Sequence, residues 1–204
     1  MMENKVVTLI GDSIIDNISY VEPPGLCVLG HLDKLKPNWT FEQRAVDGHT
    51  TVNVLESQLI KKIDTPTVLS IGGNDLLKRM DLLTSQETLT AAELFEELHR
   101  ELVEFQIRHS GILDKIRGPA LICTIYNPSF KRDNELAPLQ KSAEIAVGLF
   151  NDVIQRNSAA SQHQTLELRN IFLDAVDYAN PIEPSDIGGR KLAENIIRWI
   201  ESLD

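Results

Sequence analysis

The chain alternates short apolar runs with longer segments whose apolar residues recur at helical spacing. The short runs predict five strands, at residues 5–10, 40–46, 67–71, 120–126 and 166–172. Strands that alternate with helices are joined by crossovers, and crossovers place the strands parallel to one another. We therefore expect an α/β fold, a three-layer α/β/α sandwich with a five-stranded parallel sheet that helices cover on both faces.

Five segments have the spacing of amphipathic helices, and each has a predicted buried face. These segments are residues 23–36, 52–63, 94–116, 145–154 and 187–203. In the fourth segment, the predicted buried face consists of Ile145, Leu149, Val153 and Ile154. In the last segment, the predicted buried face extends from Ile187 to Leu203.

Length and composition exclude several classes of protein. A chain of 204 residues suits one domain spanning residues 1–204, because one core serves chains of roughly 100 to 250 residues. A net charge of -10 argues against nucleic-acid binding, which needs a basic surface. No run approaches the ~18 apolar residues of a spanning helix, so we expect no membrane insertion.

Targeting and cofactor signals are also missing from the sequence. The apolar run that follows Lys5 is too short for a signal peptide, which predicts a cytoplasmic protein. Cys27 and Cys123 lie far apart, which makes a zinc site or a disulfide improbable. No phosphate-binding glycine loop is present either, so we expect neither a metal nor an organic cofactor. No pattern indicates an oligomeric state.

The first predicted strand runs directly into Gly11, Asp12 and Ser13. Ligands of parallel sheets bind at the carboxyl ends of the strands, so this turn is a candidate site of chemistry. A serine between a strand and a helix presents its hydroxyl at the edge of the sheet, where N–H groups of the helix start can stabilise an anion. The structural alternative is that Ser13 only caps the following helix.

The next two strands end in residues that can stabilise a negative charge. Gly48 follows the second strand, and a glycine lets its N–H approach a ligand closely. His49 would lie at the same rim, although a loop histidine is more often a surface residue. Asn74, beside Gly73 after the third strand, offers a neutral N–H donor for an oxyanion, whereas Asp75 is expected to cap the helix that begins there.

Together, these three blocks resemble the SGNH, or GDSL-type, hydrolases. Gly11-Asp12-Ser13 is similar to the family's nucleophile block, and Gly48 is similar to its second-block glycine. Gly72-Gly73-Asn74-Asp75 is similar to its Gly-x-Asn-Asp block. The resemblance implies a flavodoxin-like SGNH-hydrolase fold and the hydrolysis of carboxylic esters or related acyl bonds in a small-molecule substrate.

The resemblance also implies roles for individual residues. Ser13 would be the nucleophile, and its own N–H would form an oxyanion hole with the Gly48 N–H and the Asn74 side chain. The residues expected to contact the substrate at the same rim are Asp12, His49 and Gly73.

The last block departs from the family. The family has Asp-x-x-His there, whereas this chain has Asn180-Pro181-Ile182-Glu183, so Glu183 occupies the position of the histidine and Asn180 that of the aspartate. Loss of the histidine of a serine triad costs about six orders of magnitude in turnover. Glutamate can replace it only if its pKa rises from ~4.3 toward neutrality, through burial or a neighbouring carboxylate.

Three hypotheses about the base remain open from the sequence. Glu183 acts directly on Ser13, or His49 reaches Ser13 from the second-strand loop. In the third hypothesis no base exists, and the chain is a catalytically impaired domain that binds an acyl or glycan ligand without hydrolysing it. Asp174 and Asp177, which precede the last block, are further candidates for orienting a base.

Other residues have weaker signals. Asp16, Asn17 and Tyr20 either line the substrate entrance or cap and pack the first helix. Residues 80–88 are a candidate lid whose Leu82-Leu83 pair either meets an acyl chain or anchors the loop by burial. His109 continues an apolar helical stripe, which favours a packing role.

Overall fold

The computed structural model describes residues 5–80, 90–133 and 135–203. The strands are β1 (Lys5–Gly11), β2 (Trp39–Gln43), β3 (Thr67–Ser70), β4 (Ala120–Cys123) and β5 (Gln164–Leu166). They form one sheet in the order β2-β1-β3-β4-β5, and every neighbouring pair is parallel. The predicted five-stranded parallel sheet is confirmed. Its order places β1 and β3 side by side in the centre, so the turns that follow them are neighbours.

Helices occupy the connections between the strands. They are α1 (Val28–Leu35), α2 (Thr51–Asn53), α3 (Gly73–Leu77), α4 (Ala91–Leu113), α5 (Gln140–Ala160) and α6 (Asp186–Glu201). A π-helical turn, Val54–Gln58, continues α2. Among the helices of the described ranges, none has both the length and the apolar character needed to cross a membrane.

The sheet separates two hydrophobic cores because successive strand residues point to opposite faces. The core under α1 and α6 receives Leu9, Val68 and Leu121 from the strands. The core under the α2 region, α4 and α5 receives Ile10, Leu69 and Ile122. The three-layer α/β/α arrangement is therefore confirmed.

The fifth strand was predicted at the wrong place. It covers Gln164–Leu166, and the residues that follow form a 3-10 turn, Leu168–Asn170. The Glu167 side chain accepts a hydrogen bond from the Arg169 N–H at 3.1 Å and thereby caps this turn. The predicted strands 40–46 and 120–126 also end earlier, at Gln43 and Cys123.

Several helix predictions need correction. Residues 23–27 precede α1 and are not helical, because two prolines and Gly25 stand before its start. The second predicted helix ends at Gln58 rather than at residue 63. In α5, Ile145 is 65% exposed and Leu149 is 36% exposed. The buried face of α5 is rotated by about one residue from the predicted face. It consists of Ala143, Ala146, Val147, Phe150, Val153 and Ile154.

Two further sequence predictions concern the buried face of α6 and the candidate lid. Ile187 and Leu203, at the ends of the predicted buried face of α6, are exposed, whereas Leu192, Ile196 and Ile200 between them are buried. The candidate lid with its Leu82-Leu83 pair lies outside the described residues, except for Met80.

Candidate active site

The end of β1 requires glycine. Gly11 has a φ of +140°, and a Cβ at this position would lie 1.9 Å from the Ser70 carbonyl oxygen of β3. The Gln58 side chain holds the same residue: its Oε1 accepts the Gly11 N–H at 2.8 Å, and its Nε2 donates to the Gly11 carbonyl at 2.7 Å. This fixed strand end determines where the next two residues, Asp12 and Ser13, are placed.

Ser13 lies in a tight turn that leads into irregular chain. The N–H groups of Ile15 and Asp16 donate to the Asp12 carbonyl, and the chain then continues to a single 3-10 turn, Ile18–Tyr20. The expected helix directly after Ser13 is absent from this described stretch, since α1 begins only at Val28. Ser13 therefore does not cap a following helix, and the predicted contribution of a helix start to the site was wrong.

The backbone of the second block, Gly48 and His49, lies beside the site. Gly48 has a φ of +78° and is exposed, with open space where a Cβ would be. The His49 ring is turned toward Gln58, whose Nε2 lies 2.9 Å from His49 Nδ1. His49 makes no hydrogen bond to Ser13 among the described residues.

Side chains of the third block hold the second block and the start of α2 in place through hydrogen bonds. Asn74, in the first turn of α3, donates from Nδ2 to the His49 carbonyl oxygen at 3.0 Å. Asp75 was expected to cap α3, but its carboxylate instead accepts the N–H of Thr51 at 2.9 Å and so caps α2. Arg108 of α4 lies 3.8 Å from the same carboxylate.

Glu183 is carried by a loop, residues 179–184, that its own hydrogen bonds shape. Asn180 Oδ1 accepts the N–H groups of Ile182 and Glu183 at 2.9 and 3.0 Å. The Ala179 N–H donates to the Glu183 carbonyl at 2.9 Å. Asn180 therefore orients the backbone at Glu183 directly, with no charge of its own.

Two buried side chains from other elements fix the Glu183 loop in place. The Tyr126 hydroxyl, after β4, donates to the Ile182 carbonyl at 2.6 Å. Asn17 donates from Nδ2 to the Pro184 carbonyl at 3.2 Å, and its Oδ1 accepts the N–H of Val28 at the start of α1 at 2.8 Å. Of the two alternatives for Asn17, the structure thus supports helix capping.

Tyr20 and the two candidate aspartates serve other contacts. The Tyr20 hydroxyl donates to Asp47 Oδ2 at 2.8 Å. Asp177 is buried, accepts the N–H groups of Leu173 and Asp174, and pairs with Lys191 at 2.7 Å. Neither Asp174 nor Asp177 contacts the Glu183 carboxyl group within the described chain.

The central contact of the site joins residues 170 positions apart. Ser13 Oγ donates a hydrogen bond to Glu183 Oε1 at 3.1 Å. Glu183 is only 6% exposed, and its Oε2 has no hydrogen-bond partner among the described residues. Burial raises the pKa of Glu183 to about 7; the Ser13 hydrogen bond opposes this shift, and the negative charge of Asp47 adds to it.

A second carboxyl group is buried beside Ser13. Asp12 is 1% exposed; its Oδ1 accepts the Ile14 N–H at 3.1 Å, and its Oδ2 is unpartnered in the described structure. Burial raises the pKa of Asp12 well above its usual value, and the charges of Glu183 and Asp75 raise it further. A carboxyl group in this environment favours its neutral form.

The predicted site residues meet, in part, around one cavity. Asp12, Ser13, Gly73, Asn74 and Glu183 line it. Gly48 and His49 are not among its lining residues. The rest of the wall is largely hydrocarbon and comes from Ile14, Leu76, Leu77, Met80, Ile125, Tyr126, Pro128, Phe130, Ala143, Ala146, Val147 and Ile182.

Solved structures of two lipolytic proteins and of an acetylxylan esterase share this architecture. A phospholipase A1 from Streptomyces albidoflavus aligns with a TM-score of 0.68 at 14% identity, over 95% of this chain and 99% of that one. A lipolytic protein of the G-D-S-L family from Veillonella parvula aligns with a TM-score of 0.61 at 16% identity, over 95% and 97%. A catalytic mutant of an acetylxylan esterase from Geobacillus stearothermophilus gives 0.64 at 15%, over 97% and 94%.

The chain has the SGNH-hydrolase fold. The fold expected from the sequence resemblance is thereby confirmed. No family model matches the sequence, and no curated protein matches it.

Sequence reasoning missed two residues that build the site in this SGNH-hydrolase fold. Gln58 holds Gly11 and His49, but a glutamine within a helical pattern looks like a surface residue, so the sequence carried no signal. Tyr126 holds the Glu183 loop, and here a signal existed. A tyrosine at the carboxyl end of a parallel strand is well placed to reach the site.

Proposed function

We propose that the protein is a serine hydrolase of carboxylic esters or related acyl bonds, with Ser13 as nucleophile and Glu183 as general base. The observation that carries this proposal is the 3.1 Å hydrogen bond from Ser13 Oγ to Glu183 Oε1. A general base works best when its pKa lies near the working pH, and burial raises the pKa of Glu183 to about 7.

In the proposed mechanism, the Ser13 hydroxyl proton moves to the Glu183 carboxylate while Oγ bonds to the carbonyl carbon. The π-electron pair of the carbonyl moves onto its oxygen. When the tetrahedral intermediate collapses, the ester C–O bond breaks and the leaving alkoxide takes the proton from Glu183. A water molecule then attacks the acyl-Ser13 carbonyl, giving its proton to Glu183, and Ser13 Oγ leaves with that proton.

The oxyanion would be stabilised by neutral donors. Asn74 uses one amide hydrogen on the His49 carbonyl, which leaves its second hydrogen for the substrate. The N–H groups of Ser13 and Gly48 donate no hydrogen bond within the described residues. Because Asn74 holds the residue after Gly48, the same amide also positions the turn that carries the Gly48 N–H.

A fluorophosphonate probe tests the assignment, because it labels only an activated serine. We expect labelling of the wild-type protein and none of Ser13→Ala. Glu183→Gln should lower both the labelling rate and kcat/KM for a 4-nitrophenyl ester by about 10² to 10⁴-fold. His49→Ala serves as the matched control and should label like the wild type, since its ring contacts Gln58.

The other outcomes distinguish the remaining hypotheses. Labelling that is lost in His49→Ala and kept in Glu183→Gln would identify the histidine as the base. A wild-type protein that resists labelling between pH 6 and 9 would support the alternative function, a domain that binds an acyl or glycan ligand without hydrolysing it.

A further inference from the structure

The residues that line the cavity fall into a small polar group and a larger apolar group. The polar lining groups are those of the reacting centre, Asp12, Ser13, Asn74 and Glu183, whereas the remaining walls are apolar. Tyr126 also lines the cavity, but its hydroxyl already donates to the Ile182 carbonyl. A sugar placed here would bring hydroxyl groups against hydrocarbon without partners, and burying an unpartnered hydroxyl is unfavourable.

We propose that this cavity binds the acyl chain of the substrate and selects a straight chain of medium length, longer than acetyl and shorter than palmitoyl. This inference rests on the proposed function. Leu76 and Leu77 of α3, Ile125 after β4, and Ala143 and Val147 of α5 supply hydrocarbon contacts for methylene groups.

The size of the cavity sets the length of the chain. The cavity has a volume of about 60 Å³. A single water molecule needs roughly 10–15 Å³ of cavity space, so the cavity has room for several groups of that size beyond the carbonyl carbon. An acetyl group would leave most of this space unfilled, and a palmitoyl chain would exceed it.

The chain-length profile of 4-nitrophenyl esters measures this selection. Each methylene group that enters an apolar site should raise kcat/KM about fourfold. From acetate to hexanoate, kcat/KM should therefore rise by about 10²-fold, and it should rise no further toward palmitate. A profile that is highest at acetate, in a protein that does hydrolyse esters, would overturn the inference while the proposed function stands.

Two substitutions on α5 should move the optimum in opposite directions. Ala143→Leu fills the cavity and should shift the optimum to shorter chains. Val147→Ala enlarges the cavity and should shift it to longer chains. Ile145→Ala is the matched control, because Ile145 lies on the same helix, is 65% exposed and does not line the cavity. An optimum that is the same in all three variants and the wild type would contradict the proposal.

Equilibrium binding separates this inference from the catalytic proposal. Ser13→Ala cannot form an acyl-enzyme, so calorimetry with ethyl hexanoate and ethyl acetate reports binding alone. We expect at least tenfold tighter binding of ethyl hexanoate, and a loss of that preference when Ala143→Leu is added. Equal affinity for the two esters would overturn the acyl-chain assignment, whether or not the wild-type protein hydrolyses esters.

Discussion

Glu183 is the residue on which the chemistry depends. Its carboxyl group lies at a position where a solvated glutamate would be a poor base, because an ordinary pKa near 4.5 leaves it weakly basic. Burial changes this property and raises the pKa to about 7. The same burial leaves Oε2 without a hydrogen-bond partner among the described residues. Ionisation of Glu183 therefore lowers the stability of the folded protein.

The cost can be measured as a dependence of stability on pH. The folded-state pKa of Glu183 is raised, so its contribution to stability is fully present below pH 4.5 and is lost as the pH rises through about 7. After a discount for solvent screening, the loss is about 2 kcal/mol. Relative to the wild type, Glu183→Gln should gain this amount in urea unfolding at pH 8 and almost none at pH 4.5. An equal difference at both pH values would contradict the assignment.

At the level of elements, the site depends on how β1, β3 and the Glu183 loop end. β1 and β3 are adjacent, and their contact is so close at Gly11 that a side chain there would meet the Ser70 carbonyl oxygen. The Glu183 loop reaches the same edge of the sheet because Tyr126 and Asn17 hold its carbonyl groups. The geometry of Ser13 and Glu183 is thus set by contacts between elements that hold the backbone in place.

Gly11→Ala tests this element-scale constraint. Its Cβ would lie 1.9 Å from the Ser70 oxygen, and its φ of +140° is strained for alanine, so we expect a loss of about 3 kcal/mol or more in the free energy of unfolding. Gly148→Ala in α5 is the control. Nothing lies within 4 Å of that Cβ, so this change should add about 0.5–1 kcal/mol. Urea unfolding of both variants checks the pair, and a Gly11→Ala protein as stable as Gly148→Ala would refute the account.

In the whole molecule, one hydrophobic core lies on each side of the sheet that carries the site. The core that contains α4 and α5 also encloses a histidine, His109. Its Nδ1 lies 3.3 Å from Asn157 Nδ2, and its ring packs 5.6 Å from that of Phe105. Burial lowers the pKa of His109 to about 4. The packing role predicted from the helical stripe is confirmed.

This buried histidine should make the whole protein sensitive to acid. Between pH 6.5 and 4 the unfolded chain binds a proton at His109 that the folded protein does not, so stability falls as the pH falls through this range. The total loss is on the order of 3 kcal/mol. His109→Gln should be less stable than the wild type at pH 7 and should lose less stability between pH 7 and 5. Parallel losses in the two proteins over that interval of urea-unfolding measurements would argue against the prediction.

Particular residues show how far sequence reasoning reached. The buried strands and the apolar stripe of α4 follow from local periodicity and were predicted well. The face of α5 was misassigned because isoleucine and leucine outweighed the alanines that pack against the site. β5 was misplaced because the hydrophobicity of Leu168 and Phe172 suggested a strand. Both residues are buried, but they lie in and just after a 3-10 turn.

The sequence by itself determined a parallel α/β sheet with polar residues at the ends of its strands, because hydrophobic periodicity and turn residues act locally along the chain. Only the tertiary structure decided which side chain faces Ser13. Glu183, which is 170 positions away in the sequence, accepts the Ser13 hydrogen bond, whereas the His49 ring contacts Gln58. The raised pKa of Glu183 is likewise a tertiary property, since it arises from burial by distant elements and from the charge of Asp47.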